Sequence, residues 1–315
     1  MMSILIPRQN VTGLSSRCAN WRRGVCYSAA VKPAPFAYRR PATLDEAASL
    51  LAEFAPQDGR VLAGGQSLVP IMNFRLARPA CLIDINGVAG LDRLAVENGV
   101  LRVGARVRHA AFERPVEAGP LGAMLAVVAR DIGHYPIRVR GTFCGSLAHA
   151  DPASEWCLVA ATLDAEIVAT SRRGTRTIAA KEFFAGIMTT ALAEDELLTQ
   201  ARLPILPADT RFGFCEFSRR AGDFAMAMSL AVLEIEDGVI AASRIGIGGA
   251  EATPRRIEAA EAALRGERPG DAVFRAAAAA AAGAIDPIED QQTERRYRRE
   301  LVEAMTYRAL KQACA

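Results

Sequence analysis

Arg60-Val61-Leu62-Ala63-Gly64-Gly65-Gln66-Ser67 runs a short apolar strand straight into paired glycines and a hydroxyl. Gly64 and Gly65 let backbone N–H groups converge on an anion with no Cβ in the way, and Ser67 adds a side-chain donor. Alone, the motif is more often a structural turn than a ligand loop, because Gly-Gly after a strand is a common way to reverse a chain. A second stretch, Gly141-Thr142-Phe143-Cys144-Gly145-Ser146, repeats the chemistry about eighty residues later. A diphosphate has two anionic groups and needs donors from more than one turn, so two such loops point to one ligand. Neither loop is followed by the Lys of a P-loop. Nor does either show G-x-G-x-x-G with an acid about twenty residues on, so a nucleotide here is held outside a Rossmann scaffold.

Outward from these loops, Thr43 reads as an N-cap with Glu46 three residues later, opening a helix over about Leu44 to Ala55. Strands are expected at 60–62 and around Ile83, in a β–loop–helix–β arrangement. Asn98-Gly99 suits a type I′ hairpin, since both central residues must take positive φ, and an antiparallel sheet begins there. A helix over Leu121 to Ile132 precedes the second loop, which is expected to stay a loop as far as Glu155. Pro204 and Pro207 mark a break. Strands follow over Phe212 to Ser218 and Ala227 to Ile235, with a turn at Asp237-Gly238. Helices are expected at about Pro254 to Arg265, Asp271 to Ala282 and Thr293 to Gln312. The fold class is therefore α+β, strands first and helices after in the C-terminal part. The division is 1–31 as a disordered extension, 32–207 as the ligand domain and 208–315 as a C-terminal α+β domain.

Composition excludes several classes. A chain of 315 residues, half of them hydrophobic, is long enough to bury the cores of two or three domains. A formal charge of +3 with interspersed signs argues against nucleic acid as a partner. No run of eighteen apolar residues is present, so no membrane span is expected. The seven cysteines form no C-x-x-C pair or cluster-ligand pattern, and His109, His134 and His149 lack zinc-site spacing. No metal site is expected, and scattered thiols without a secretory signal fit the cytoplasm. The first thirty-one residues carry Arg8, Arg17, Arg22 and Arg23 but no acid. They read as a disordered extension, a targeting segment or an upstream start.

Over both loops the sequence resembles the FAD-binding medium subunits of the carbon monoxide dehydrogenase and xanthine dehydrogenase family, the molybdenum hydroxylases. AGGQSLVPIMNFRLARP (63–79) is similar to that family's first flavin loop and RVRGTFCGSLAHADPASE (138–155) to its second. The likeness continues through TTALAEDELLTQARLP and FSRRAGDFAMA. It implies a two-part FAD-binding domain of the vanillyl-alcohol-oxidase/PCMH type, followed by a domain with an antiparallel sheet and helices. By resemblance Ala63, Gly64, Gly65, Gln66 and Ser67 wrap the FAD diphosphate from one side, and Thr142, Phe143, Cys144, Gly145 and Ser146 from the other. Ala148 and His149 would lie near the isoalloxazine, Glu155 would accept from ribityl or ribose hydroxyls, and Asp223 is a further candidate. Without the resemblance, Glu155 reads as a surface acid, Asp223 as a loop cap and His149 as a structural hydrogen-bonder.

Cys144 departs from the family pattern, which commonly has glycine there. The backbone at 144 must then avoid positive φ or carry strain. The resemblance further implies an oxidoreductase complex. An iron–sulfur small subunit with two-iron clusters and a molybdopterin large subunit would be partners, with an external electron acceptor downstream of FAD. Two rivals stand beside it. A free-standing FAD oxidase would use acid–base residues in a substrate domain, yet residues 208–315 contain no histidine. A non-catalytic scaffold that has lost FAD is the other.

Overall fold

In the computed structural model, which describes residues 32–290 and 293–315, Thr43 caps the Leu44–Phe54 helix as its sequence dictates. Its hydroxyl accepts from the Glu46 N–H at 3.2 Å while Glu46 reaches back to the Ala42 N–H at 2.8 Å. The 1–31 extension lies outside the described residues. The helix covers a three-stranded parallel sheet in which Cys81–Asp84 is central, flanked by Ala37–Arg39 and Arg60–Leu62. A central parallel strand is buried on both faces, which is why Cys81, Leu82, Ile83 and Asp84 are all buried.

The next sheet is antiparallel with five strands, ordered Leu94–Glu97, Val100–Gly104, Leu197–Pro204, Glu166–Ser171 and Gly174–Ala179. Asn98 and Gly99 take φ of 52° and 77°, the type I′ geometry their chemistry favours. Among the helices that lie in the chain between strands Val100–Gly104 and Glu166–Ser171 are Pro120–Asp131, Phe143–His149 and Glu155–Thr162. The stretch expected to stay a loop through Glu155 is thus partly helical: Thr142 caps the second helix, accepting from the Gly145 N–H at 3.1 Å.

The C-terminal part is a four-stranded antiparallel sheet, Arg211–Phe217, Ala227–Glu236, Val239–Gly248 and Arg255–Arg256, backed by helices Glu258–Leu264, Asp271–Ala284 and Arg295–Ala313. The helix expected from Pro254 starts later, because Arg255 and Arg256 pair with Ile247 and Gly246 as a fourth strand. Strand Ala227–Glu236 divides its side chains by period two. Met228, Leu230 and Val232 enter the core shared with the N-terminal part, whereas Ala227, Ala231 and Leu233 face the C-terminal helices. One strand therefore belongs to two cores, and its near-continuous apolar run follows from that.

The seam between the parts is close. The Glu155–Thr162 helix crosses strand Val239–Gly248 at Gly246, where a Cβ would lie 1.8 Å from Thr162 Oγ1 and 3.0 Å from Thr162 Cβ. Thr162 is pinned by its own bond to the Leu158 carbonyl at 2.7 Å and cannot swing away freely. Gly246→Ala is therefore expected to destabilise by about 1–3 kcal/mol in urea unfolding. Thr162→Ala in the same chain should recover part of that loss, since Leu158 Cδ1 at 2.9 Å and the Cβ at 162 stay in place, and purely additive effects of the two changes would contradict the seam.

Candidate functional site

The two glycine loops meet. A Cβ on Gly64 would lie 2.3 Å from the Arg140 carbonyl oxygen and 2.7 Å from Gly141 Cα, so the backbones approach as only glycine permits. Gly65 sits at φ 73°, and Ser67 opens the Leu68–Asn73 helix with its hydroxyl free of any capping bond. On the other side Thr142 opens the Phe143–His149 helix. Its Oγ1 already accepts from Gly145 N–H, and its hydroxyl proton remains to be donated.

A polar chain behind the loops fixes their separation. Asn86 Nδ2 donates to the Ala63 carbonyl at 2.8 Å, and Asn86 Oδ1 accepts from Arg108 Nη2 at 2.6 Å. Arg108 Nη1 donates to the Arg140 carbonyl. Asn86 is itself held by Asp84, whose Oδ1 accepts from the Asn86 backbone N–H at 2.9 Å and from Nδ2, while Tyr38 donates to the other oxygen. Burial alone would raise the Asp84 pKa, but the hydrogen bonds from Tyr38 and Asn86 outweigh it and the net shift is downward. The carboxylate therefore stays ionised as the anchor of the chain.

Between the loops opens a cleft of about 320 Å³. Of the residues expected to bind, Ala63, Gly64, Gly65, Gln66, Ser67, Thr142, Cys144, Gly145, Ser146 and His149 line it, as does Ala148. Burial lowers the half-buried His149's pKa, partly offset by Asp151, which favours a neutral ring. Cys144 is helical, without positive φ, and 2% exposed, with its thiol 3.3 Å from the Val103 carbonyl. Burial pushes that thiol up to about 12, so it is packing rather than a nucleophile.

Three expected residues lie elsewhere. Phe143 turns its ring into the core, 4.9 Å from Trp156 and 5.6 Å from Phe112, because a helix begun at Thr142 points its first side chain inward. Glu155 starts the next helix, near Asp131 and Glu216, which line a second cleft that Glu155 itself does not. Asp223 sits in a turn closed by its own N–H to the Arg220 carbonyl at 3.0 Å and does not line the loop cleft. Sequence reading missed His109, Gly141 and the Leu192 and Glu196–Leu198 stretch, all of which line the loop cleft. The last falls within the DELL segment quoted for the family resemblance; His109 stood out by no spacing at all.

Two main-chain glycine loops lining one cleft, with no Rossmann turn, define a class of protein that holds an anionic ligand by backbone donors. The model of the FAD binding domain in molybdopterin dehydrogenase matches residues 34–206, and that of the CO dehydrogenase flavoprotein C-terminal domain matches 212–313. The chain is 38% identical over 278 residues to the nicotine 6-hydroxylase medium subunit of Paenarthrobacter nicotinovorans, covering 88% of this chain and 97% of that one. It is 31% identical to the carbon monoxide dehydrogenase medium chain of Hydrogenophaga pseudoflava, over 90% and 98% of the two chains. The structure of quinoline 2-oxidoreductase from Pseudomonas putida 86 superposes with a TM-score of 0.83 at 35% identity, covering 90% of this chain and 98% of that one. That of carbon monoxide dehydrogenase from Hydrogenophaga pseudoflava gives 0.85 at 33%, with the same coverage. The chain belongs to the FAD-binding medium subunits of the molybdenum hydroxylases, and is an oxidoreductase subunit of that family.

The donor set fits FAD: both glycine loops line one cleft, with the Gly64 to Ser67 backbone and the uncapped Ser67 hydroxyl placed to donate to a diphosphate. Among the described residues, no group of three or more His, Cys, Asp or Glu is placed to hold a metal ion, and no helix is long and apolar enough to cross a membrane.

The second cleft carries a pH signature. Burial, then Glu155 and Asp131, push the Glu216 carboxyl up to about 9, and its Oε2 is buried without a partner. A carboxyl with a folded pKa above its unfolded value holds a proton that the unfolded chain releases, so stability falls as pH rises from 4.5 toward about 9. Glu216→Gln, which fixes the neutral form, should raise Tm at pH 8.5 and leave it nearly unchanged at pH 5. Equal Tm values at both pH values would refute the buried neutral acid.

Proposed function

We propose that this chain is the electron exit of a three-part molybdenum hydroxylase. It would take electrons from two-iron clusters of a small partner subunit and deliver them from its FAD to an external acceptor. A large molybdopterin subunit would oxidise the substrate, and the complex would work in the cytoplasm. The observation that carries this reading is the convergence of both glycine loops on one cleft, which suits a diphosphate-bridged cofactor.

FAD, when bound, supplies a redox group able to exchange electrons singly or in pairs, the property needed between one-electron clusters and a two-electron acceptor. This chain's part is binding and orientation. Backbone N–H groups of Gly64 to Ser67, with the Ser67, Thr142 and Ser146 hydroxyls, are assigned to the diphosphate; the Gly145 and Ser146 N–H groups are already held by Thr142. His149 and Ala148 are assigned to the ring side of the cleft. Glu155 and Asp223 are not assigned to the cofactor, because both lie outside the cleft. No nucleophile or general base is required of the chain, in keeping with the inert Cys144 and with the burial that lowers the His149 pKa.

The test uses the assembled complex. Gly65→Val should strip flavin absorbance from it without dissociating the subunits, since valine resists the positive φ that Gly65 adopts. Substrate should then still bleach the iron–sulfur bands, while electron delivery to the acceptor falls at least tenfold. Full acceptor reduction by flavin-free complex would overturn the exit role, and stoichiometric iron in the chain purified alone would overturn the division of cofactors.

A further inference from the structure

We propose that His109 is a further ligand of the bound nucleotide: held as its Nε2–H tautomer by Trp156, it donates from Nε2 to a diphosphate oxygen of FAD between the two loops. The proposal rests on the FAD reading above and adds to it a side chain with no counterpart among the residues assigned so far.

The argument starts at Trp156. Its indole is fully buried against Phe112 and Phe143, with ring centroids 5.1 and 4.9 Å away, and cannot turn. An indole N–H only donates, and here it donates to His109 Nδ1 at 2.9 Å. Nδ1 must therefore present a lone pair, which leaves the ring proton on Nε2. Burial, with Arg108 and Arg138 adding, pushes the ring's pKa down to about 4, so at neutral pH the imidazole is uncharged and carries that single proton. His109 is thus a directed donor rather than an acid, a base or a cation.

The donor points where a ligand is needed. His109 is 4% exposed and lines the loop cleft. Among the described residues its Nε2 makes no hydrogen bond to protein and is not one of the sealed, partnerless side-chain atoms, so it opens onto the cleft where a ligand oxygen can reach it. Nε2 lies against the second loop, since a Cβ on Gly141 would come within 2.4 Å of it, and the His109 backbone N–H is tied to the Gly141 carbonyl at 3.0 Å. Gly141 Cα in turn meets the first loop at Gly64. The nitrogen therefore sits at the junction where both backbones converge, and an anionic oxygen there would satisfy it. A metal is not the partner, because no ligand cluster surrounds it among the described residues.

FAD titration of the full-length apoprotein, with 31P NMR of the bound cofactor, tests the assignment. His109→Asn keeps an acceptor for the Trp156 N–H but loses the donor at Nε2. It should weaken FAD binding by about 10- to 100-fold, the worth of a hydrogen bond to a charged group, and shift a diphosphate 31P resonance. His109→Gln, whose amide nitrogen reaches the Nε2 position, should recover most of the affinity. Equal losses in Asn and Gln variants, or wild-type affinity and 31P shifts in His109→Asn, would assign the ring a packing role only and overturn the proposal. Should the variants fail to fold, wild-type chain with 15N-labelled histidine still decides: FAD must move the His109 Nε2 resonance, and an unmoved resonance in flavin-loaded protein refutes the contact. Wild-type chain that takes up no FAD at all would instead defeat the functional reading itself.

Discussion

The site exists because the Gly64 backbone can touch the backbone of Arg140 and Gly141. Any side chain at 64 would push the first loop off the second, and the cleft between them would lose one wall. Two loops about eighty residues apart do not find this distance by themselves. The spacing is set by Asn86, which reaches the Ala63 carbonyl, and by Arg108, which holds both Asn86 and the Arg140 carbonyl. Each is a charged or amide group spent on main-chain acceptors, so the cradle is stiffened from behind while its inner face remains backbone.

The C-terminal part contributes rigidity to that arrangement. Strand Ala227–Glu236 feeds Met228, Leu230 and Val232 into the core that holds the Glu155–Thr162 helix, and that helix carries Trp156. Trp156 in turn packs on Phe143, the first residue of the second loop's helix. A continuous path of packed side chains thus runs from the second domain to the ligand loops. This explains why Phe143, though inside the loop motif, is a core residue: its ring anchors the loop from below while its backbone neighbours face the cleft.

Much of this order was legible from residues alone. Thr43 with Glu46, Asn98-Gly99 and Asp237-Gly238 each dictate a local geometry that no distant contact overrides, and each adopts it. The paired loops were legible because glycine and hydroxyl chemistry is local as well. What escaped was decided by tertiary partners. Phe143 and Cys144 read as loop residues, yet Thr142 starts a helix there and burial claims both side chains. Arg255 and Arg256 read as helix until an edge strand offered pairing. His109 has no motif, since what distinguishes it is a hydrogen bond from an indole forty-seven positions later in the chain.

The tolerance for Cys144 follows from the same logic. A glycine in a phosphate loop is needed only where φ is positive or where another backbone must come close. Position 144 meets neither condition, because the chain is already helical there and its thiol packs against the Val103 carbonyl. Gly64 and Gly65 meet one condition each, close approach and positive φ respectively. The family's habitual glycine at the Cys144 position is therefore replaceable by a small buried side chain, whereas the first loop's pair is fixed by geometry. Departure from a family motif at a glycine is informative only once the backbone angle and the nearest atoms at that position are known.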